Sequence, residues 1–357
     1  MKSVSVSPHV HSSLSTDKAM LYVAIALLPS AIWGVAAFGL RALLVLLVSV
    51  ASSVIVEYIF SRISKEDTIR DFSAVVTGLL IGMNMSPSIP LYIPVIASAF
   101  AIVVVKWTFG GLGCNWMNPA LAGRVFVFFS FSSAMSSFVT PRFLQSSVDA
   151  LSSATILSSI KTAVSAGASG SNAEILSSAS MAMSTFASDI ENSTGISGYI
   201  VDAFIGNKAG CIGEVSALLL LVGGIFLIAK RIITWHIPVI YLGSFAVLSW
   251  IFGGLPRGVG LFGGEVILPL LSGGLFLGAF FMATDWVTSP TSRKGQVIYA
   301  VGCGFFTFLI RYFASLPEGV SIAILLMNIV TPTIDRYIRP KKFGYVKPEK
   351  KKKEEKA

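Results

Sequence analysis

Ten times along this chain of 357 residues the sequence runs apolar for about the length of a membrane crossing. The stretches are 18–38, 41–61, 72–86, 89–107, 118–137, 214–230, 236–253, 265–283, 296–314 and 319–338. A helix needs roughly 20 predominantly apolar residues to cross the hydrocarbon core. The third stretch is short, and Gly273 and Gly274 interrupt the eighth. With 54% hydrophobic and only 13% charged residues, a soluble globular domain is excluded. The expected fold class is all-α: a polytopic membrane protein of about ten transmembrane helices, with broken or re-entrant segments and a long extracytoplasmic loop. Residues 1–17 are polar and the first apolar run passes Phe38 without a small-residue cleavage site, so no cleavable signal peptide is expected.

Five regions follow. They are an N-terminal segment (1–17), a first five-span half (18–137), a polar loop (138–213), a second five-span half (214–338) and a basic tail (339–357). With the N-terminus in the cytoplasm, the short inner segments carry Arg62, Lys65, Arg70, Lys106, Lys230, Arg231, Arg293, Lys294, Arg336 and Arg339. The outer ones carry only Arg41, Arg257 and Arg311. That asymmetry is what the positive-inside tendency produces, and it sets both termini in the cytoplasm of a bacterial or archaeal inner membrane. The polar loop then faces outward. The net charge of +9 is accounted for without nucleic acid as a partner. The run Lys350–Lys353 reads as a solvated end, or one drawn to anionic membrane lipid.

Cys114, Cys211 and Cys303 have no Cys-x-x-Cys spacing, and His9, His11 and His236 no metal spacing, so no metal site is expected. Breaks inside the apolar halves say more. Between Phe109 and Ala120, Gly110, Gly111, Gly113 and Pro119 forbid a regular helix. Irregular backbone at membrane depth must find partners in protein, water or a ligand. Asn115 and Asn118 there could read a flat, polar-edged ring, or cap a helix corner. A second such turn, Met282–Pro290, carries Asp285 and Thr288.

Carboxylates within spans cost on the order of 2.5–3.5 kcal/mol at mid-depth, so each needs a reason. Asp71 and Asp335 stand beside Arg70 and Arg336 and read first as interfacial residues. Glu57 has Ser53, Val54, Phe60 and Ser61 one turn away, and no cation among them. It is therefore protonated, or it faces a hydrated path or an ion on another helix. Glu57, Asp285 and Asp335 are the candidate ion path.

In the polar loop, Asp149-Ala150-Leu151-Ser152-Ser153-Ala154-Thr155 resembles the motif on which a transferase attaches flavin mononucleotide (FMN) through a phosphoester. Thr155 is then the acceptor, and Asp149, Ser152, Ser153 and Ala154 are what the transferase grips. A solvated linker matching by chance is the bland alternative.

Several ordered stretches add to this one. They are Ser7-Pro8-His9, Ala26–Pro29, Asp71–Gly78, Phe109–Gly113 with Asn118-Pro119-Ala120, Gly278–Asp285, Pro317–Val320, and Asn328 followed by Asp335. In this order they resemble the RnfD/NqrB family, membrane subunits of Rnf and of sodium-pumping NADH:quinone oxidoreductase complexes. Ser153 and Trp286 depart from the family's usual Gly and Pro, and the short polar N-terminus favours the RnfD branch. The resemblance implies covalent FMN at Thr155 and a non-covalent riboflavin in the membrane part, for which Gly110, Gly111, Asn115, Asn118 and Thr288 are the candidate contacts. It also implies other Rnf-type subunits and an FMN transferase as partners. The function implied is electron transfer between ferredoxin and NAD branches, coupled to Na⁺ or H⁺ transport by a complex in which this chain is not active alone. Alternatives are an NqrB-type subunit, a non-redox solute transporter that uses the broken helices as its substrate site, and a structural membrane anchor.

Overall fold

The computed structural model describes residues 15–338 apart from 66–67, 145–153, 169, 180, 182, 315 and 317. Regular structure among the described residues is helical. The first half comprises α1 (Thr16–Phe38), α2 (Leu40–Ser64), α3 (Ser73–Met83), α4 (Tyr92–Ala99), α5 (Pro119–Ser130) and the single turn α6 (Ser132–Met135). A wider-turned segment, Phe100–Lys106, continues α4. The middle holds α7 (Ile156–Ser165), α8 (Asn172–Ser178), α9 (Thr185–Thr194) and α10 (Gly198–Ile205). The second half comprises α11 (Ala217–Ala229), α12 (His236–Phe252), α13 (Ile267–Leu271), α14 (Leu275–Leu277), α15 (Arg293–Phe313) and α16 (Val320–Tyr337). Another wide-turned segment, Gly278–Met282, extends α14.

Each of the ten apolar stretches holds helix. The helical stretches Thr16–Phe38, Leu40–Ser64, Tyr92–Phe109, His236–Arg257 and Arg293–Phe313 are long and apolar enough to cross a membrane, while α3, α5 and α11 are shorter. Half or less of each long stretch is buried, and Ile32, Ile55, Ile63 and Phe129 point outward. A soluble protein does not expose so much aliphatic surface; a multi-pass membrane protein turns it to lipid or to neighbouring subunits.

The halves repeat one pattern of neighbours. In the first, α2 packs on α3 and α4, and α4 on α5; in the second, α12 packs on α13 and α15, and α15 on α16. Between the halves α1 lies against α11. Lipid gives helices no hydrophobic drive to associate, so close approach depends on small residues. Gly78 is such a place: a Cβ there would lie 2.7 Å from the Val50 Cα, and Ser49 Oγ donates to the Gly78 carbonyl at 2.6 Å.

Two interrupted helices meet at the centre. α3 stops at Met83, α11 starts at Ala217, and the extended chain beside each pairs with the other. Gly213 N donates to Met83 O at 2.7 Å, Ile212 N to Met85 O at 3.0 Å, and Ser30 Oγ to Gly213 O at 2.8 Å. These bonds satisfy backbone groups that lipid would leave orphaned.

Within the polar region 138–213, the described residues include four short helices that bury apolar side chains. Ile156, Ile175, Leu176, Ala187 and Ala203 from its helices are buried. Its abundant hydroxyls serve partly as caps: Thr155, Ser171 and Ser184 each accept from the third residue onward, at the starts of α7, α8 and α9. Composition alone does not separate a Ser/Ala-rich linker from short capped helices.

Candidate functional site

One cavity lies where the broken segments of both halves converge. Lys106, Asn115, Asn118, Thr284 and Asp285 share its lining with apolar side chains from α1, α3 and α11. Asn118 caps α5, its Oδ1 accepting from Ala120 N at 3.0 Å and Leu121 N at 3.3 Å. Its Nδ2 donates to Met282 O at 3.2 Å, so this side chain joins the two halves and is fully engaged. Asn115 donates to Met117 O at 3.1 Å. Thr288 is not in the lining but holds Asp285 Oδ2 through a 3.0 Å hydrogen bond. Gly110 and Gly111 are also outside it; their positive φ angles, 106° and 87°, shape the turn that carries Asn115. The cavity measures about 100 Å³. Pockets that hold a cofactor are roughly 300–1,000 Å³, larger than this space as it stands.

Glu57 reaches this cavity through a partner. It is fully buried, and Lys106 Nζ, supplied by the segment that follows α4, lies 2.7 Å from its Oε1. Thr68 Oγ1 donates to the same oxygen at 2.6 Å, and Trp107 Nε1 to Oε2 at 3.1 Å. Of the alternatives open to Glu57, the structure shows an ion on another helix. Lys106 also donates to Ser73 Oγ at 2.7 Å, which donates to Asp71 Oδ1 at 2.7 Å. Asp71, Ser73, Lys106 and Glu57 thus form one polar chain ending in the cavity that Asp285 lines. Asp335 is not part of it; its Oδ1 accepts from Thr291 N at 3.2 Å, fixing the turn before α15.

A second buried polar group is not among the sequence-based candidates. Arg124, in the middle of α5, donates to Asn84 Oδ1 at 3.0 Å, Ser321 Oγ at 2.7 Å and Glu318 Oε2 at 2.8 Å. Cys211, Glu214 and Glu318 bring one ligand-type atom each to within 4.8 Å of one another. The signal available in the sequence is a charged residue inside an apolar span, which by itself marks a candidate site.

Thr155 lies against this second group. Its Oγ1 accepts from Ser158 N at 3.2 Å as the cap of α7, and the residue is only 5% exposed. The expected acceptor on the outward-facing loop is therefore buried in this structure. It lines a narrow cleft with Lys208, Glu214, Gly273 and Glu318. Its neighbours Ala154 and Ile156 line an adjacent cavity of about 220 Å³, shared with Tyr199, Asp202, Asn207 and Lys208. Free amides at a helix start and a nearby ammonium suit a phosphoester. Asp149, Ser152 and Ser153 lie outside the described residues.

Comparison with known proteins bears on this geometry. Residues 3–344 match the family model described as NQR2, RnfD, RnfE. The chain is 41% identical over 343 residues to a subunit of the proton-translocating ferredoxin:NAD(+) oxidoreductase complex of Clostridium ljungdahlii, covering 96% of each chain. It is also 41% identical over 345 residues to the corresponding subunit of the Na(+)-translocating ferredoxin:NAD(+) oxidoreductase complex of Acetobacterium woodii, again covering 96% of each. A subunit of the ion-translocating oxidoreductase complex of Stutzerimonas stutzeri is 37% identical over 355 residues, covering 92% of each.

Proposed function

Because the chain belongs to the NQR2, RnfD, RnfE family, we propose that it is the flavin-carrying membrane subunit of an ion-translocating ferredoxin:NAD(+) oxidoreductase complex. The observation that carries this is its likeness, across 96% of its length, to the same subunit of that complex in two organisms. Those two relatives are named for different ions at equal identity, so the transported cation is Na⁺ or H⁺. The other subunits of the complex are its partners, and it does not act alone.

The flavin is FMN, esterified to Thr155, and when bound it supplies exchange of one or two electrons. The protein's part is to place and hold it. The start of α7 and Lys208 would hold the phosphate, and the buried surroundings of Thr155 would keep water from the ester. Burial of the hydroxyl implies that the FMN transferase acts before α7 docks, while Thr155 is still exposed. The polar chain through Lys106 and Glu57 and the cavity at Asp285 form the ion-handling side of the protein.

Removing the gene from a host that carries the remaining subunits should abolish ferredoxin-dependent NAD⁺ reduction by its membranes. Supplying the chain in trans should restore it. Membranes that keep full activity without the chain contradict the assignment.

Orientation follows from the Lys/Arg asymmetry, which places both termini in the cytoplasm and Thr155 outside. A reporter active only outside the cytoplasm should work when fused within residues 160–205 and fail when fused after Lys353. The opposite pattern would invert the protein and strand Thr155 on the cytoplasmic face.

A further inference from the structure

On the same side of the molecule as Thr155, a larger cavity of about 540 Å³ opens between α7, the Pro256–Arg257 turn, α13 and the end of α15. Its walls are largely apolar, yet three cations reach it: Lys161, Arg257 and Arg311. Arg311 is 5% exposed and makes no ion pair among the described residues. Its Nη1 and Nη2 are spent on the Pro269 and Ser272 carbonyls, and its Nε has no partner. Arg257, equally buried, donates Nη1 to Asn172 Oδ1 at 2.9 Å and leaves Nη2 without a partner. Asn172 Nδ2 is the third orphaned donor. Lys161 donates to the carbonyls of Arg311, Ala314 and Leu316 but meets no carboxylate among the described residues. Burial draws its ammonium below the ordinary lysine range.

Charge does not balance here. Among the described residues, the three cations make one ion pair with a carboxylate, Glu265, 3.7 Å from Arg257 and partly exposed. Its Oε1 is also occupied by Asn172 N at 2.9 Å. Glu318 and Glu214 also act on Arg311 from a distance, but neither pairs with it, and Glu318 is held by Arg124. An uncompensated buried cation is strongly unfavourable, and so is a buried donor left without an acceptor. Both costs are removed by one anion with several acceptor oxygens. Guanidinium groups pair best with phosphate or carboxylate.

The mouth of the cavity indicates what carries that anion. Phe313, which lines it, is 58% exposed, and Leu255 beside Pro256 is exposed as well. A charged interior opening onto an apolar rim fits an amphiphile whose chains stay outside. Leu157, Ile160, Lys161 and Val164 line this cavity, whereas Ile156 and Ser159 line the one beside Thr155, so α7 lies between the two.

We propose that this cavity binds the phosphate headgroup of an anionic phospholipid, through the orphaned donors of Arg257, Arg311 and Asn172 together with Lys161, with the acyl chains lying along Phe313 and Leu255.

The test uses the full-length chain purified in detergent. Lipid extraction and mass spectrometry should find an anionic phospholipid retained through extensive washing. Arg257→Gln should lower that retention by about tenfold or more, as loss of a charge-assisted pair implies. Wild-type protein stripped of lipid gives a reading that does not depend on how the variant folds. Phosphatidylglycerol should raise its unfolding temperature by several degrees, because a ligand of the native state stabilises it by mass action, while phosphatidylcholine and inorganic phosphate should not. An equal shift with phosphate would make this a soluble-anion site, and an equal shift with phosphatidylcholine would exclude recognition of the headgroup. Retention unchanged in Arg257→Gln, or occupancy of the cavity by flavin that disappears in Thr155→Ala, would each overturn the lipid assignment.

Discussion

Glu57→Gln should destabilise the protein by about 3–5 kcal/mol, the usual cost of breaking a buried ion pair from one side. Glu57 and Lys106 are both buried and meet at 2.7 Å. Removing the carboxylate's charge leaves an ammonium in the interior facing only neutral acceptors, the amide oxygen and the Ser73 hydroxyl. Thr68 and Trp107 also lose a charged acceptor. Replacing both members of such a pair with uncharged groups of similar volume is often neutral, so Glu57→Gln combined with Lys106→Met should recover most of the loss. Thermal unfolding of wild type, Glu57→Gln, Lys106→Met and the double variant in detergent completes the cycle and yields the coupling directly. A single variant as stable as wild type would mean that Lys106 is neutralised by something other than Glu57. The stable double variant then separates architecture from transport. If the pair serves ion movement, that variant should assemble and keep its flavin, yet show slowed ferredoxin-dependent NAD⁺ reduction with altered Na⁺ or pH dependence.

This pair shows what the sequence could and could not disclose. The helices are legible because a bilayer demands one simple thing, a run of apolar residues long enough to cross, and ten such runs are visible. Interruptions are legible too, since three glycines and Pro119 between Phe109 and Ala120, and the pair Gly273-Gly274, disfavour a continuous helix in lipid. Partners across helices are not. The cation that meets Glu57 lies 49 positions away on another segment, and helical periodicity reports only neighbours three or four residues distant. Arg124 itself is visible as a charge within a span, but its partners are hidden for the same reason, because Asn84, Ser321 and Glu318 come together only when both halves fold.

The Asn115–Asn118 turn illustrates the opposite limit. Its residue types suit a ligand and a cap alike, and only geometry separates the two uses. Asn118 spends both ends of its amide on α5 and Met282, and the cavity beside it is small. In the middle region, the Ser/Ala-rich composition suggests an open linker, but hydroxyls that start helices look the same in sequence as hydroxyls that face water. The short helices α7–α10 are recognised by the apolar residues they bury, among them Ile156, Ile175 and Leu176.

Thr155 joins the sequence motif to the buried site, and the covalent flavin it is proposed to carry is the centre of this account. Protein made together with an FMN transferase, denatured and run on a gel, should show a fluorescent flavin band. Thr155→Ala should abolish that band entirely. The substitution also removes the α7 cap, worth about 1 kcal/mol, so Thr155→Ser, which retains a hydroxyl and the cap, controls for helix loss and should keep flavin. The decisive measurement is therefore in-gel flavin fluorescence of wild type, Thr155→Ser and Thr155→Ala side by side. Bands in the first two and none in the third are the predicted result; a band that persists in Thr155→Ala, or no band in wild type, would contradict it.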